Sequence, residues 1–207
     1  MRGSKLSPNQ HKFVGALRCS SSDSRRAGII HFFGLGLLAV TIAGASVSAA
    51  PGWPGILGAG LGLLMAAIAV VDGRHFIIPN SLTIATLPLG LINAAMAAGW
   101  KGVAVALPRG AVLALAFLAL RAGYQWFRGR TGIGLGDVKL AGAGGVWLGW
   151  MMLPLAVEIA ALAALAVYAV RWLAGRPVRR STRVPFGMFF APAIWLAWFI
   201  EAALTRR

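Results

Sequence analysis

The chain has 207 residues, 58% of them apolar and only 12% charged, with 27 glycines and a mean hydropathy of +0.76. A soluble domain carries about 25% charged residues to clothe its core. This composition therefore excludes a soluble globule, a coiled coil and a disordered tail, and it predicts an all-α polytopic membrane protein of about seven transmembrane helices. The net charge of +15 comes from 20 Lys+Arg against 5 Asp+Glu. These basic residues are dispersed between apolar runs instead of forming one stripe, which argues against a nucleic-acid partner and for the lipid bilayer.

Residues 1–26 form a polar, basic tail that holds Cys19, the single cysteine. One cysteine excludes an intramolecular disulfide and a Cys-cluster zinc site. No charged residue then appears from Ala27 to Val71, a stretch too long for one crossing and broken by Pro51-Gly52-Trp53-Pro54. The expected spans are 29–49 and 55–71, followed by 81–98, 103–123, 135–152, 155–173 and 185–203. Between them lie Pro79-Asn80, Gly99-Trp100-Lys101-Gly102, Arg128-Gly129-Arg130, Pro154 and Arg176-Pro177. The division at Pro154 rests on that proline and on length. Gly58, Gly60 and Gly62 suit close helix approach in lipid. A cleaved signal peptide is the alternative for the first run, which is longer than a usual signal h-region.

Loop charges set the orientation. With seven spans, fifteen basic residues fall on the side of the N-terminal tail, among them Arg74, Arg121, Arg128, Arg130, Arg171, Arg179 and Arg180. Only Lys101, Arg206 and Arg207 fall on the other side. This places the N-terminus in the cytoplasm and the C-terminus outside.

The acids are Asp23, Asp72, Asp137, Glu158 and Glu201. Asp23 lies in the tail, while Glu158 and Glu201 are expected near outer span ends, where a carboxylate reaches water. Asp72 ends the second span and Asp137 begins the fifth, so both fall at the cytoplasmic face. Ionisable groups at that depth are costly and mark a candidate site; helix capping is the bland alternative. Asp72 opens Asp72-Gly73-Arg74-His75-Phe76-Ile77-Ile78-Pro79-Asn80, where Pro79 interrupts the helix and Asn80-Ser81 can cap the next one. Asp137 sits in Gly132-Ile133-Gly134-Leu135-Gly136-Asp137-Val138-Lys139-Leu140. Glycines beside a carboxylate admit another backbone, as peptide cleavage requires, although they could equally loosen a loop.

These segments resemble those of the prepilin peptidases, bilayer-embedded aspartic proteases with a GxGD motif. Asp72 with Ile78-Pro79-Asn80 resembles their first aspartate followed by I-P-D/N. Gly134-Leu135-Gly136-Asp137-Val138-Lys139-Leu140 resembles G-x-G-D-x-K-L, and Val184-Pro185-Phe186-Gly187 resembles I-P-F-G. The resemblance runs in order over about 55–204, within an expected transmembrane peptidase domain of 27–207. Long family members carry paired CxxC motifs in a cytoplasmic domain. Cys19 cannot supply these, so the resemblance is to the short, peptidase-only type of Flp or tight-adherence pili.

The resemblance implies that Asp72 and Asp137 are catalytic, and that Gly134, Gly136, Lys139, Pro79, Pro185 and Gly187 belong to the motifs along which substrate approaches. It implies no metal and no cofactor. The implied substrate is a prepilin or pseudopilin precursor with a short basic leader and an apolar helix. The implied location is the bacterial inner membrane, with pilus or secretion assembly machinery as a candidate partner. Two close carboxylates cannot readily both ionise, so such a dyad shares one proton, activates water, and protonates the leaving amine. By helix-end position Asp137 suits the ionised base and Asp72 the acid, an effect of about 0.3–1 kcal/mol that coupling can outweigh. Lys139 reads either as an interfacial anchor or as a group that orients substrate. The rivals are presenilin-like proteases, whose first aspartate follows Tyr in mid-span; a transporter or proton channel, which would spread acids through the membrane depth; and a structural subunit of an assembly machine.

Overall fold

A segment in lipid must satisfy its own backbone hydrogen bonds, so the apolar runs can only fold as helices or join a closed barrel. They fold as helices. The computed structural model describes residues 34–130, 132–175 and 185–205. The tail of 1–26 with Cys19 and Asp23, the start of the first apolar run, Arg176, Arg179, Arg180, Arg183, Val184, Arg206 and Arg207 lie outside the described residues. All regular structure among the described residues is helical: α1 (Gly34–Ala49), α2 (Trp53–His75), α3 (Asn80–Arg128), α4 (Leu135–Trp147), α5 (Met152–Leu173) and α6 (Phe186–Thr205). Four of these, α2, α3, α5 and α6, are long and apolar enough to cross a membrane. By contacts the chain forms two units, Met1–Thr41 and Ile42–Arg207. The described part of the first, residues 34–41, is helical. The second holds everything discussed below.

The interruptions follow the local chemistry. Pro54 sits in the first turn of α2, where a missing N–H costs nothing. α2 ends with Phe76 in the left-handed region (φ 56°), and Pro79 (φ −65°, ψ 128°) holds the chain extended before α3. The 49 residues of α3 are two helical arms, 80–97 and 100–128, parted by Ala98 (φ −145°) and Gly99 (φ 60°, ψ −147°). The expected break at Gly99-Trp100-Lys101-Gly102 is thus present. The chain turns so sharply there that a Cβ on Gly102 would stand 2.1 Å from the Ala94 carbonyl oxygen. The two arms lie side by side, with Thr83 and Leu87 lining one cavity together with Leu107, Ala111 and Ala114.

The fifth expected span, 135–152, is shorter than its apolar run. α4 has 13 residues, about 20 Å of helix against a hydrocarbon core of about 30 Å. It stops because Leu148 turns extended (φ −91°, ψ 142°), and the Gly149 carbonyl then receives the first N–H groups of α5. Pro154 does not divide these segments. It lies in the first turn of α5, where proline is tolerated.

Lipid tails are as apolar as leucine, so helices in a membrane associate through close fit. α3 and α4 form the most extensive pair. A Cβ on Gly145 would come within 2.8 Å of the Gly110 Cα, so the two backbones nearly touch. α2 packs on α6 in the same manner, with Gly58 and Gly62 giving room to the rings of Trp198 and Trp195. Trp147 fixes α4 to the first arm of α3 by donating its Nε1–H to the Thr86 carbonyl at 2.9 Å. The interior centres on Leu61, Met65, Ile68, Leu140, Phe190 and Ile194, all essentially inaccessible. Outward-facing Ile84, Leu115, Leu165 and Val170 are more than 60% exposed, an apolar surface that lipid would cover.

Candidate active site

Three chain segments far apart in sequence meet around one cavity of about 590 Å³. Its walls include Asp72 from α2, Ile78 and Asn80 from the α2–α3 turn, Arg121 from the second arm of α3, and the run Gly132–Asp137. Pro185 and Phe186 close it from the start of α6. Asp72 is buried at 5% exposure, whereas Asp137 is half-buried. The two acids, 65 positions apart in the chain, face the same space, and Asp72 exerts a Coulombic repulsion on Asp137.

Each carboxylate rests on a helix start. Asp137 is the third residue of α4, and its Oδ2 accepts the Gly134 N–H at 3.1 Å. This is the return half of a capping box, and the first turn favours negative charge. Asp72 lies in the last turn of α2, as its carbonyl accepts the Phe76 N–H. Its side chain nevertheless reaches the first turn of α6, where Oδ2 accepts the Met188 N–H at 2.8 Å and the Gly187 N–H also points at it. The end-of-helix contrast between the two aspartates therefore disappears: α6 gives Asp72 a helix N-terminus that lies 116 residues away in sequence.

The motif glycines make room for these contacts. Ile78 is wedged between α4 and α6. A Cβ on Gly136 would stand 3.0 Å from the Ile78 Cβ. One on Gly187 would stand 2.7 Å from Ile78 Cδ1 and 2.9 Å from Asp72 Oδ2. The segment around Pro79, the Gly134–Asp137 segment and the Pro185–Gly187 segment are thus three parts of one packing unit. Pro79 itself precedes α3 and sets the direction of Ile78 and Asn80. Lys139 is not among the residues lining this cavity. Its Nζ donates to Asn80 Oδ1 at 3.0 Å, tying α4 to the start of α3.

By its place in the sequence Arg121 belongs with the loop charges. It lines the cavity and donates through Nη1 to the Ile133 carbonyl. The available signal was an arginine ending an apolar run shortly before the GxGD segment. Glu201 is partly buried and accepts the Gly149 N–H with both oxygens at 3.1 and 3.2 Å, while Glu158 is exposed on the surface of α5. Among the described residues no group of His, Cys, Asp and Glu is arranged to hold a metal ion.

Residues 59–170 match the model of the type IV leader peptidase family. Among curated proteins, the chain is 29% identical over 192 residues to a prepilin leader peptidase/N-methyltransferase of Aeromonas salmonicida, an alignment covering 91% of this chain and 62% of that protein. It is 33% identical over 146 residues to one of Pseudomonas aeruginosa, covering 68% and 48%. It is 35% identical over 160 residues to one of Burkholderia pseudomallei, covering 72% and 48%. The chain thus spans between about half and 62% of the length of these relatives. No solved structure matches it significantly. With more than half of its sequence matching the family model, the chain belongs to the type IV leader peptidase family.

Proposed function

We propose that this chain is an intramembrane aspartic endopeptidase that removes the short basic leader from type IV prepilins or prepilin-like proteins, with Asp72 and Asp137 as its dyad. The observation that carries the reading is the convergence of both carboxylates on one cavity, each with one oxygen held by a backbone N–H. Fixed in this way, each keeps a second oxygen for water or for the scissile carbonyl. Mutual repulsion favours one proton shared by the pair. The ionised member takes a proton from water as the water attacks the carbonyl carbon. The protonated member hydrogen-bonds the carbonyl oxygen, and the proton then passes to the departing amine. Neither a covalent intermediate nor a metal enters this scheme.

The same reading puts the cavity at the cytoplasmic face of a bacterial inner membrane. Counting both arms of α3 and the short α4 gives seven membrane segments, with the N-terminus inside. Arg74, Arg121 and Arg128 lie towards the aspartate end, and Lys101 lies at the far turn between the arms, in keeping with a positive inner side. A precursor could then present its leader at the interface while its apolar helix stays in lipid. The Flp-like substrate type rests on the resemblance of the motifs, and assembly machinery is a proposed partner on the same ground.

The test is co-expression of the chain with candidate precursors, reading leader removal on a gel and the new N-terminus by sequencing. Cleavage by the wild-type chain, and none by Asp72→Asn or Asp137→Asn at equal membrane levels, is the expected result. Cleavage that survives either substitution would remove the dyad.

A further inference from the structure

Arg121 occupies a place that the dyad scheme leaves unused. It is the one cation among the described residues lining the aspartate cavity. Its Nη1 bonds neither aspartate but the carbonyl oxygen of Ile133. The carbonyl of Ile133 and the N–H of Gly134 belong to a single peptide unit, and that N–H donates to Asp137 Oδ2. Guanidinium, peptide and carboxylate therefore stand in series: cation to C=O, and the N–H of the same amide to the acid. Hydrogen bonds in series polarise one another, by roughly 10–30% per bond. A cation on the carbonyl draws electron density from the amide and makes its N–H a stronger donor.

We infer that Arg121 is a positioning residue for the proposed peptidase reaction: through the Ile133–Gly134 peptide it orients the Asp137 carboxylate and strengthens the hydrogen bond that holds it.

Two surrounding features support this role over a substrate contact. A Cβ on Gly132 would lie 2.6 Å from the Tyr124 ring, so the loop is pressed against the face of α3 that carries Arg121 and Tyr124 three residues apart. A Cβ on Gly134 would lie 3.1 Å from Asp137 Oδ2, so nothing but the N–H stands between that peptide and the carboxylate. Asp72 on α2 is the other charged group facing Asp137. Pro185 and Phe186 of the α6 start bring no charge, and Lys139 is engaged by Asn80. Arg121 thus pairs with neither acid and reaches Asp137 through the Ile133–Gly134 peptide.

The inference rests on the proposed peptidase reading, and the experiment separates the two. Arg121→Gln and Arg121→Lys are compared with the wild-type chain in detergent on a prepilin substrate, each normalised to protein recovered from membranes. The exchange of the Gly134 amide proton is followed by nuclear magnetic resonance. Arg121→Gln should lower kcat about 10-fold with KM within about twofold, as expected for an interaction that orients a reacting group. Arg121→Lys, which keeps one donor and the charge, should regain most of that loss. The Gly134 amide should exchange faster in the Gln variant. A Gln variant with wild-type kcat, or one that loses efficiency through KM alone, overturns the inference while leaving the peptidase reading intact. If the Gln variant is not recovered from membranes, the Lys variant decides: a kcat lowered about two- to threefold with unchanged KM supports the inference, and a wild-type kcat or a raised KM overturns it. A wild-type chain that cleaves no precursor overturns the peptidase reading; unchanged Gly134 exchange in the Gln variant then overturns the proposed link through the peptide as well.

Discussion

The Met188 N–H donates to Asp72 Oδ2 at 2.8 Å across 116 residues of sequence. That single bond joins the last turn of α2 to the first turn of α6. It explains why a Pro-Phe-Gly segment near the end of the chain belongs with an aspartate in its first half. Proline starts the helix, and glycine keeps Cβ out of the carboxylate's space.

Substitution of Gly187 by Ala should damage this junction. The added methyl would fall 2.9 Å from Asp72 Oδ2 and 2.7 Å from Ile78 Cδ1, so one of them must move. Overpacking of this kind costs about 1–3 kcal/mol, which at the reacting centre is about 5- to 150-fold in rate. Leader-cleavage assays on Gly187→Ala should give that loss with KM little changed.

Relief should come from the shared neighbour. Gly136→Ala places its methyl 3.0 Å from the Ile78 Cβ and 3.3 Å from its Cγ1 and Cδ1, and Ile78→Ala removes the latter two while leaving Cβ, which relieves the contact in part. The double variant Gly136→Ala with Ile78→Ala should be more active than the Gly136→Ala single, a coupling of about 0.5–3 kcal/mol measurable in a double-mutant cycle. Strict additivity would show that Ile78 does not fill the space between α4 and α6.

Lys139 should matter little to chemistry. Its bond to Asn80 is exposed, and exposed polar pairs contribute about 0–1 kcal/mol. Lys139→Gln should therefore leave kcat within about threefold of wild type. A collapse of kcat would give this side chain a direct part in the site.

Trp147 tests the scaffold apart from the site. Trp147→Phe removes the donor to the Thr86 carbonyl, a buried bond between α4 and the first arm of α3. The loss should be about 0.5–1.5 kcal/mol in thermal or denaturant unfolding in detergent, the net worth of one hydrogen bond, because the Thr86 carbonyl keeps its place in the backbone ladder of α3. Its effect on KM should be small.

Much of this architecture was written locally. Pro51–Pro54, Pro79 and Gly99 mark turns because fixed φ, a missing donor or a positive φ act within a few residues. The motif aspartates stand out because charge is scarce in so apolar a chain. What local pattern could not reveal depends on distant partners. Asp72 reads as a helix C-terminal residue until the start of α6 is brought against it. Arg121 reads as a loop charge until the GxGD segment folds onto α3. The early end of α4 at Trp147 reflects backbone geometry at Leu148 and Gly149 that hydropathy does not encode, and Glu201 finds its Gly149 partner only through the packing of α6.

The most direct measurement is the rate of leader removal by the purified chain and by Asp72→Asn, Asp137→Asn and the double variant, under one detergent and pH. A dyad acting as a unit predicts that each single substitution lowers the rate by at least about 1,000-fold and that the double is no worse than either. A folded single variant retaining more than about a tenth of the wild-type rate would contradict the claim that both acids work on one amide.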